Sequence, residues 1–140
     1  MTFESKQEKI KQLFAPCKTP EERYKKIIEF GSVLPPLAPL FKTEENRVHG
    51  CQSAMYLHTE YKDGLMIFSA DSDALISKGL AALLISVYSY QTAATVLKQP
   101  PIFLAEIGIP QSLSPSRSNG LSSLFLRMQQ EAIKFFSRSI

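Results

Sequence analysis

Cysteine and histidine are scarce in this chain of 140 residues, each occurring twice, as Cys17 and Cys51 and as His49 and His58. Two cysteines are too few to staple a small secreted scaffold. The four side chains also do not suggest a structural zinc site, because His49 and Cys51 are close neighbours while Cys17 and His58 stand far off along the chain. No Cys-x-x-Cys pair is present, which argues against thioredoxin-like exchange through a nearby resolving thiol. Neither histidine has the spacing from a cysteine that marks a nucleophile and its base, which argues against a cysteine hydrolase. Long apolar runs are missing as well. The most apolar window, Gly79 to Tyr90, is well short of the roughly 20 residues of a membrane-spanning helix, and Ser86 and Ser89 interrupt it. Nothing at the amino terminus resembles a signal peptide: Glu4, Lys6, Glu8, Lys9 and Lys11 stand where one needs an apolar core, so the expected compartment is the cytoplasm. An excess of one charge is also lacking. Sixteen basic and thirteen acidic residues give a net charge of +3, and both signs alternate through the early helices, so composition implies no nucleic-acid partner.

With 44% hydrophobic and 21% charged residues, the chain has the composition of one globular domain, residues 1–140, with a core large enough to fold unaided. A short helix is expected over 5–14, with Ile10, Leu13 and Phe14 on one side and Pro16 stopping it. Thr19, Pro20, Glu21 and Glu22 form a capping box for a second helix, with Tyr24, Ile27 and Ile28 inward and Gly31 placed to end it in a left-handed cap. A proline-interrupted loop follows (Pro35, Pro36, Pro39). From Ala54 to Tyr61 the residues alternate, with Met55, Leu57, Thr59 and Tyr61 on one face. Lys62, Asp63 and Gly64 supply a hairpin turn, and Leu65 to Ala70 returns as the antiparallel partner. Asp71, Ser72 and Asp73 then mark the start of a helix to about Tyr90, apolar over most of its circumference (Leu75, Ile76, Leu80, Leu83, Leu84, Val87, Tyr88) and therefore central. Thr92 can cap a short helix through Leu97, and Pro100 and Pro101 introduce another short turn ending at Gly108. Ser114 and Pro115 open a final helix to the end of the chain, patterned by Leu121, Leu124, Phe125, Met128, Ala132, Phe135 and Phe136. The expected class is α+β: a small antiparallel sheet packed against helices.

The stretch Val48-His49-Gly50-Cys51-Gln52-Ser53 joins the proline-rich loop to the first strand. Gly50 tolerates a tight or positive-φ turn, so it can hold the Cys51 sulfur at a loop tip. A lone presented thiol can accept a group and hand it on. If its thiolate attacks a sulfur carried by another protein the product is a persulfide, and the acceptor needs no metal, cofactor or second thiol. Cys17 has no motif around it and reads as a small core residue. A bond between the two cysteines stays open on the sequence, although a reducing cytoplasm disfavours it. His49, if protonated and close, would lower the thiol pKa, but it reads equally as a solvated loop side chain. Asp71 and Asp73 read as a helix cap and a first-turn charge, with partner contact as the other reading. Arg117, a cation in the first turn of a helix, calls for an anion: Asp71, Asp73 or Glu106 in this chain, or a partner's surface.

Three segments in order resemble signatures of the SufE family: Val48 to Ser53 followed by a strand, Asp71-Ser72-Asp73 through Lys78-Gly79-Leu80, and Leu113-Ser114-Pro115-Ser116-Arg117-Ser118-Asn119-Gly120. The likeness extends to the Glu21-Glu22-Arg23-Tyr24 helix and to Leu34-Pro35. Tyr56 departs from the family's frequent tryptophan, and Ala70 from its usual glycine. The resemblance implies a compact α+β fold shared with U-type scaffold proteins and a persulfide acceptor, Cys51, at a loop tip. It further implies a pyridoxal-phosphate cysteine desulfurase as partner, which carries the cofactor, and a downstream iron-sulfur scaffold that receives the sulfur. Such a carrier is no enzyme in its own right. Scaffold relatives hold a cluster on three cysteines, whereas this chain has one in the equivalent region. A shielding pocket for the loaded sulfur is expected from Leu34, Leu37 or Met55. The rival reading is a binding protein that activates the desulfurase without taking sulfur.

Overall fold

The computed structural model describes residues 1–138. The Thr2 hydroxyl accepts from the Ser5 N–H at 3.0 Å and opens α1 (Phe3–Phe14) two residues ahead of the expected start. Ile10 and Phe14 are buried with Phe3. Leu13, expected beside them, is largely exposed because one helical step turns it about 100° from Phe14. Thr19 caps α2 (Pro20–Ser32) by accepting from the Glu22 N–H at 3.1 Å, while the Glu22 carboxylate reaches back to the Lys18 N–H at 2.8 Å. Ile27 is fully buried on the inward stripe, whereas Tyr24 lies at its outer margin.

Gly31 does not end α2. It is buried inside that helix against Gly79 of α3 (Leu75–Tyr88), and a Cβ on Gly31 would stand 2.7 Å from the Gly79 nitrogen. The two helices cross backbone to backbone, which only residues without side chains permit at that distance. The sequence marks a glycine near a helix end, but not that a second glycine faces it.

Strand β1 (Met55–Lys62) pairs antiparallel with β2 (Leu65–Ser72), from Met55 opposite Ser72 to Lys62 opposite Leu65. The turn between them puts Asp63 and Gly64 at φ 54° and 79°, the double positive pair that a two-residue hairpin demands. Met55, Leu57, Met66, Phe68 and Ala70 are buried, so the expected alternation sets the core face. Both outer edges of this two-stranded sheet are covered. Met66 exchanges hydrogen bonds with Tyr90 and Gln91, and Phe68 N–H donates to the Ser89 hydroxyl; on the other side Val48 N–H donates to Met55 and Leu57 N–H to Asn46.

Helix α3 is the hub, buried along most of its length and in contact with α1, α2, β2 and α6. It begins later than expected, at Leu75, which is exposed, and ends at Tyr88. Two short helices, α4 (Ala93–Lys98) and α5 (Ile102–Glu106), lead to α6 (Pro115–Arg138). Leu121, Leu124, Met128 and Ala132 form the buried stripe of α6, with Phe125 and Phe135 packed at its margin and Phe136 turned outward. The expected continuation of this helix past Arg138 lies outside the described residues. Among those residues no helix is long and apolar enough to cross a membrane. The architecture is α+β, as expected.

Candidate functional site

Cys51 sits at the tip of a loop whose two feet are hydrogen bonded. At the first foot, residues 46–48 run antiparallel to the start of β1, with Val48 N–H to Met55 O and Leu57 N–H to Asn46 O, each at 2.8 Å, and Arg47 bridged to Tyr56. At the second foot, Asp73 accepts from the Ala54 N–H at 3.1 Å and returns its own N–H to the Ala54 carbonyl at 3.3 Å. Between the feet the chain reverses at Gly50, whose φ of 94° is hostile to any residue with a side chain. A Cβ there would also collide with Ser123 of α6.

The Cys51 sulfur is partly buried and lies 3.6 Å from the Gly120 carbonyl of α6. Burial pushes the thiol pKa up. A thiolate would also lose the weak S–H contact to that carbonyl. Beside the sulfur is a cavity of about 10 Å3, walled by Met55, Leu80, Leu121, Leu124 and Arg117. That is room for about one water-sized group. Leu34 and Leu37 do not contribute to it: they line a separate cleft with Phe41, Phe68 and Tyr90. Of the residues expected to shield a loaded sulfur only Met55 is in place, and helices α3 and α6 supply the rest.

Arg117 is the charged member of this wall. Its Nη1 donates to the hydroxyls of Ser53 at 3.1 Å and Ser77 at 2.8 Å, which joins the loop, α3 and α6 at one point. None of the expected carboxylate partners reaches it. Glu106 pairs with Lys11 at 2.8 Å, Asp71 with Lys42 at 2.8 Å and more loosely with Lys78, and Asp73 is committed to Ala54. Among the described residues Arg117 forms no ion pair, so the cation near the thiol is bound only through neutral hydroxyls.

The reading of Asp71 and Asp73 as a helix cap and a first-turn charge is also corrected. Asp71 and Ser72 extend β2, opposite Tyr56 and Met55, and α3 starts beyond them with Ala74 at its cap position and no side-chain cap. Burial pushes the Asp71 carboxyl up, but hydrogen bonds from Lys42 and the Ser72 N–H, with the charges of Lys42 and Lys78, outweigh it and hold the pKa below the usual range. The composition suits a cap, but strand pairing claims Asp71 and Ser72 first, and Asp73 is taken by Ala54. His49 is 75% exposed and lies 3.6 Å from the Glu44 carboxylate, so it is the solvated alternative. Gln52 is exposed at the cavity rim. Cys17 is a free thiol packed against the core near the end of α1, and Cys51 is likewise free.

Sequence reasoning misses three contributors: Ser77, Ser123 and Arg127. Arg127, on α6, donates to the backbone carbonyls of Arg47 (3.0 Å) and Glu45 and to the Glu131 carboxylate (3.0 Å). Helical spacing places it off the buried stripe, and nothing local shows that a loop crosses there. Among the described residues no three His, Cys, Asp or Glu side chains gather in a way that could hold a metal ion.

The family model described as SufE, Fe-S metabolism associated domain, matches residues 8–132. The SufE-like protein 1, chloroplastic/mitochondrial, of Arabidopsis thaliana is 37% identical over 129 residues, 91% of this chain but 35% of that protein. The chain thus spans about a third of that relative's length. Uncharacterised SufE-like proteins of Synechocystis and Rhizobium etli are 36% and 42% identical, over 91% and 80% of this chain and 80% and 79% of theirs. A solution structure of a hypothetical protein from Thermus thermophilus superposes with a TM-score of 0.78 at 27% identity, covering 94% of this chain and 96% of that one. With its α+β fold and a family match along most of its length, this chain belongs to the SufE family, a family of iron-sulfur metabolism.

Proposed function

We propose that this protein takes persulfide sulfur from a pyridoxal-phosphate cysteine desulfurase onto Cys51, stimulates that desulfurase, and passes the sulfur to an iron-sulfur scaffold. The observation that carries the reading is the position of the Cys51 sulfur, at the tip of a loop and over a cavity with room for about one small group. The pyridoxal phosphate belongs to the partner in this reading, and this chain contributes the acceptor.

The transfer is a thiol exchange. The Cys51 thiol first loses its proton, and its thiolate attacks the outer sulfur of the partner's persulfide. A new S–S bond forms on Cys51 as the old one breaks, and the partner's cysteine leaves as a thiolate. The proton on the transferred sulfur travels with it, so neither oxidant nor reductant is consumed. In the free protein burial raises the Cys51 pKa and so disfavours the reactive thiolate. Docking must draw the tip out of its seat to make it a nucleophile. After transfer, the loop folds back and the outer sulfur enters the cavity, between the apolar side chains of Met55, Leu80, Leu121 and Leu124 and the Arg117 guanidinium. That sulfur is somewhat larger than a water, so the cavity walls give slightly to admit it.

Cys51→Ser is expected to abolish stimulation of the desulfurase while leaving the thermal unfolding midpoint nearly unchanged, and Cys17→Ser to leave stimulation intact. Stimulation that survives Cys51→Ser would instead select the non-covalent activator.

A further inference from the structure

We propose that Arg127 sets the hinge of the acceptor loop, holding its first foot so that only the tip, residues 49–53, moves when Cys51 is presented. This rests on the reading of Cys51 as the sulfur acceptor. The loop is tied unevenly along its length. Residues 45–48 are bonded on two sides: to β1 through Val48 and Leu57, and to α6 through the Arg127 guanidinium, which spans the carbonyls of Glu45 and Arg47. The Arg127 side chain is 18% exposed, and its guanidinium is oriented by Glu131, whose side chain is 13% exposed and is also met by Lys134. The tip is held differently. It is fastened by side-chain contacts, from Arg117 to the Ser53 hydroxyl and from the Cys51 sulfur to the Gly120 carbonyl at 3.6 Å. Both fastenings use a guanidinium, but Arg117 meets one rotatable hydroxyl of the tip whereas Arg127 meets two backbone carbonyls of the base, so the clamp at the base is the stronger of the two.

Both fastenings come from the same helix, α6, about three turns apart. The helix therefore fixes the base and merely rests against the tip, and the chain has to bend between Val48 and Ala54. Without Arg127 the bending point would retreat toward the turn at Thr43 to Arg47, which is closed by longer bonds of 3.1 and 3.2 Å. A longer arm would deliver the sulfur to a spread of positions. A lysine cannot substitute, because one ammonium cannot reproduce the planar fork that meets two carbonyls and a carboxylate.

The test uses the full chain with Arg127→Lys and, as a milder change that keeps the arginine, Glu131→Gln. Amide hydrogen exchange is read at Val48 and Leu57, whose N–H groups close the first foot, and at α3 as a reference. Arg127→Lys is expected to speed exchange at Val48 and Leu57 by about tenfold or more while α3 is unchanged. Glu131→Gln should produce a smaller increase at the same two amides. In desulfurase stimulation, the concentration giving half the effect should rise several-fold in Arg127→Lys, with the maximal rate within about twofold of the parent. Unchanged exchange at both amides in both variants would overturn the proposal, as would a rise spread evenly over α3, which marks general loosening. Should the parent protein take no sulfur on Cys51, the functional reading fails, and the exchange pattern alone still decides the hinge.

Discussion

In the proposed transfer Cys51 is the nucleophile, and its seat disfavours the thiolate. A free thiol titrates near pH 8.5, and burial beside Leu80, Leu121 and the Gly120 carbonyl raises that value in the folded chain. Alkylation of Cys51 in the free protein should therefore reach half its maximal rate above about pH 8.5, whereas in denaturant it should fall near that value. Measuring the rate against pH with mass detection of the Cys51 peptide checks this. A matching midpoint in the two states would contradict it. The same shift has a sign in stability. The seat favours the protonated thiol, so its contribution is whole below the unfolded pKa and fades as pH rises past about 8.5, where the unfolded chain gives up its proton first. Urea unfolding at a series of pH values should show that loss in the parent chain and not in Cys51→Ser.

At the scale of elements, the acceptor loop depends on two feet of different origin. Asp73→Ala removes the acceptor for the Ala54 N–H and should cost about 1 kcal/mol in urea unfolding. It should also speed Cys51 alkylation at pH 8, because the second foot is left with only the bond from the residue 73 N–H to the Ala54 carbonyl; an unchanged rate would mean that the tip, not the foot, limits exposure. The crossing of α2 and α3 is the other element-level dependence. A Cβ on Gly79 would collide with the backbone carbonyl of Ile27, which cannot rotate away. Gly79→Ala should therefore destabilise by about 1–3 kcal/mol or more, read by thermal and urea unfolding. The hairpin was legible in the sequence because the alternation from Met55 to Tyr61 and the Asp63-Gly64 turn are local signals. So was the Thr19 cap. Gly31, Asp71 and Asp73 mislead for a common reason: each has a strong local meaning that a distant partner overrides, Gly79 for the first, the strand residue Tyr56 for Asp71 and the loop residue Ala54 for Asp73.

Over the whole molecule, the thiol site is assembled where three separate segments meet. The Cys51 loop brings the sulfur, the first turns of α3 bring Ser77 and Leu80, and the first half of α6 brings Arg117, Gly120, Leu121 and Leu124. Ser77, Leu80, Leu121 and Leu124 are not among the expected site residues, but the stretches that build the site, which overlap the three that resemble the family's signatures, could be read along the chain. The site's geometry could not. That Arg117 is held by hydroxyls, that Leu34 and Leu37 face another cleft, and that Arg127 grips the loop's base all depend on helices distant in sequence packing together. The proposed sulfur transfer comes down to the destination of one sulfur atom. After incubation with a cysteine desulfurase and cysteine, peptide mass mapping should find the mass of one extra sulfur on the peptide that contains Cys51. Finding it on the Cys17 peptide alone, or on neither while stimulation persists, would contradict the account.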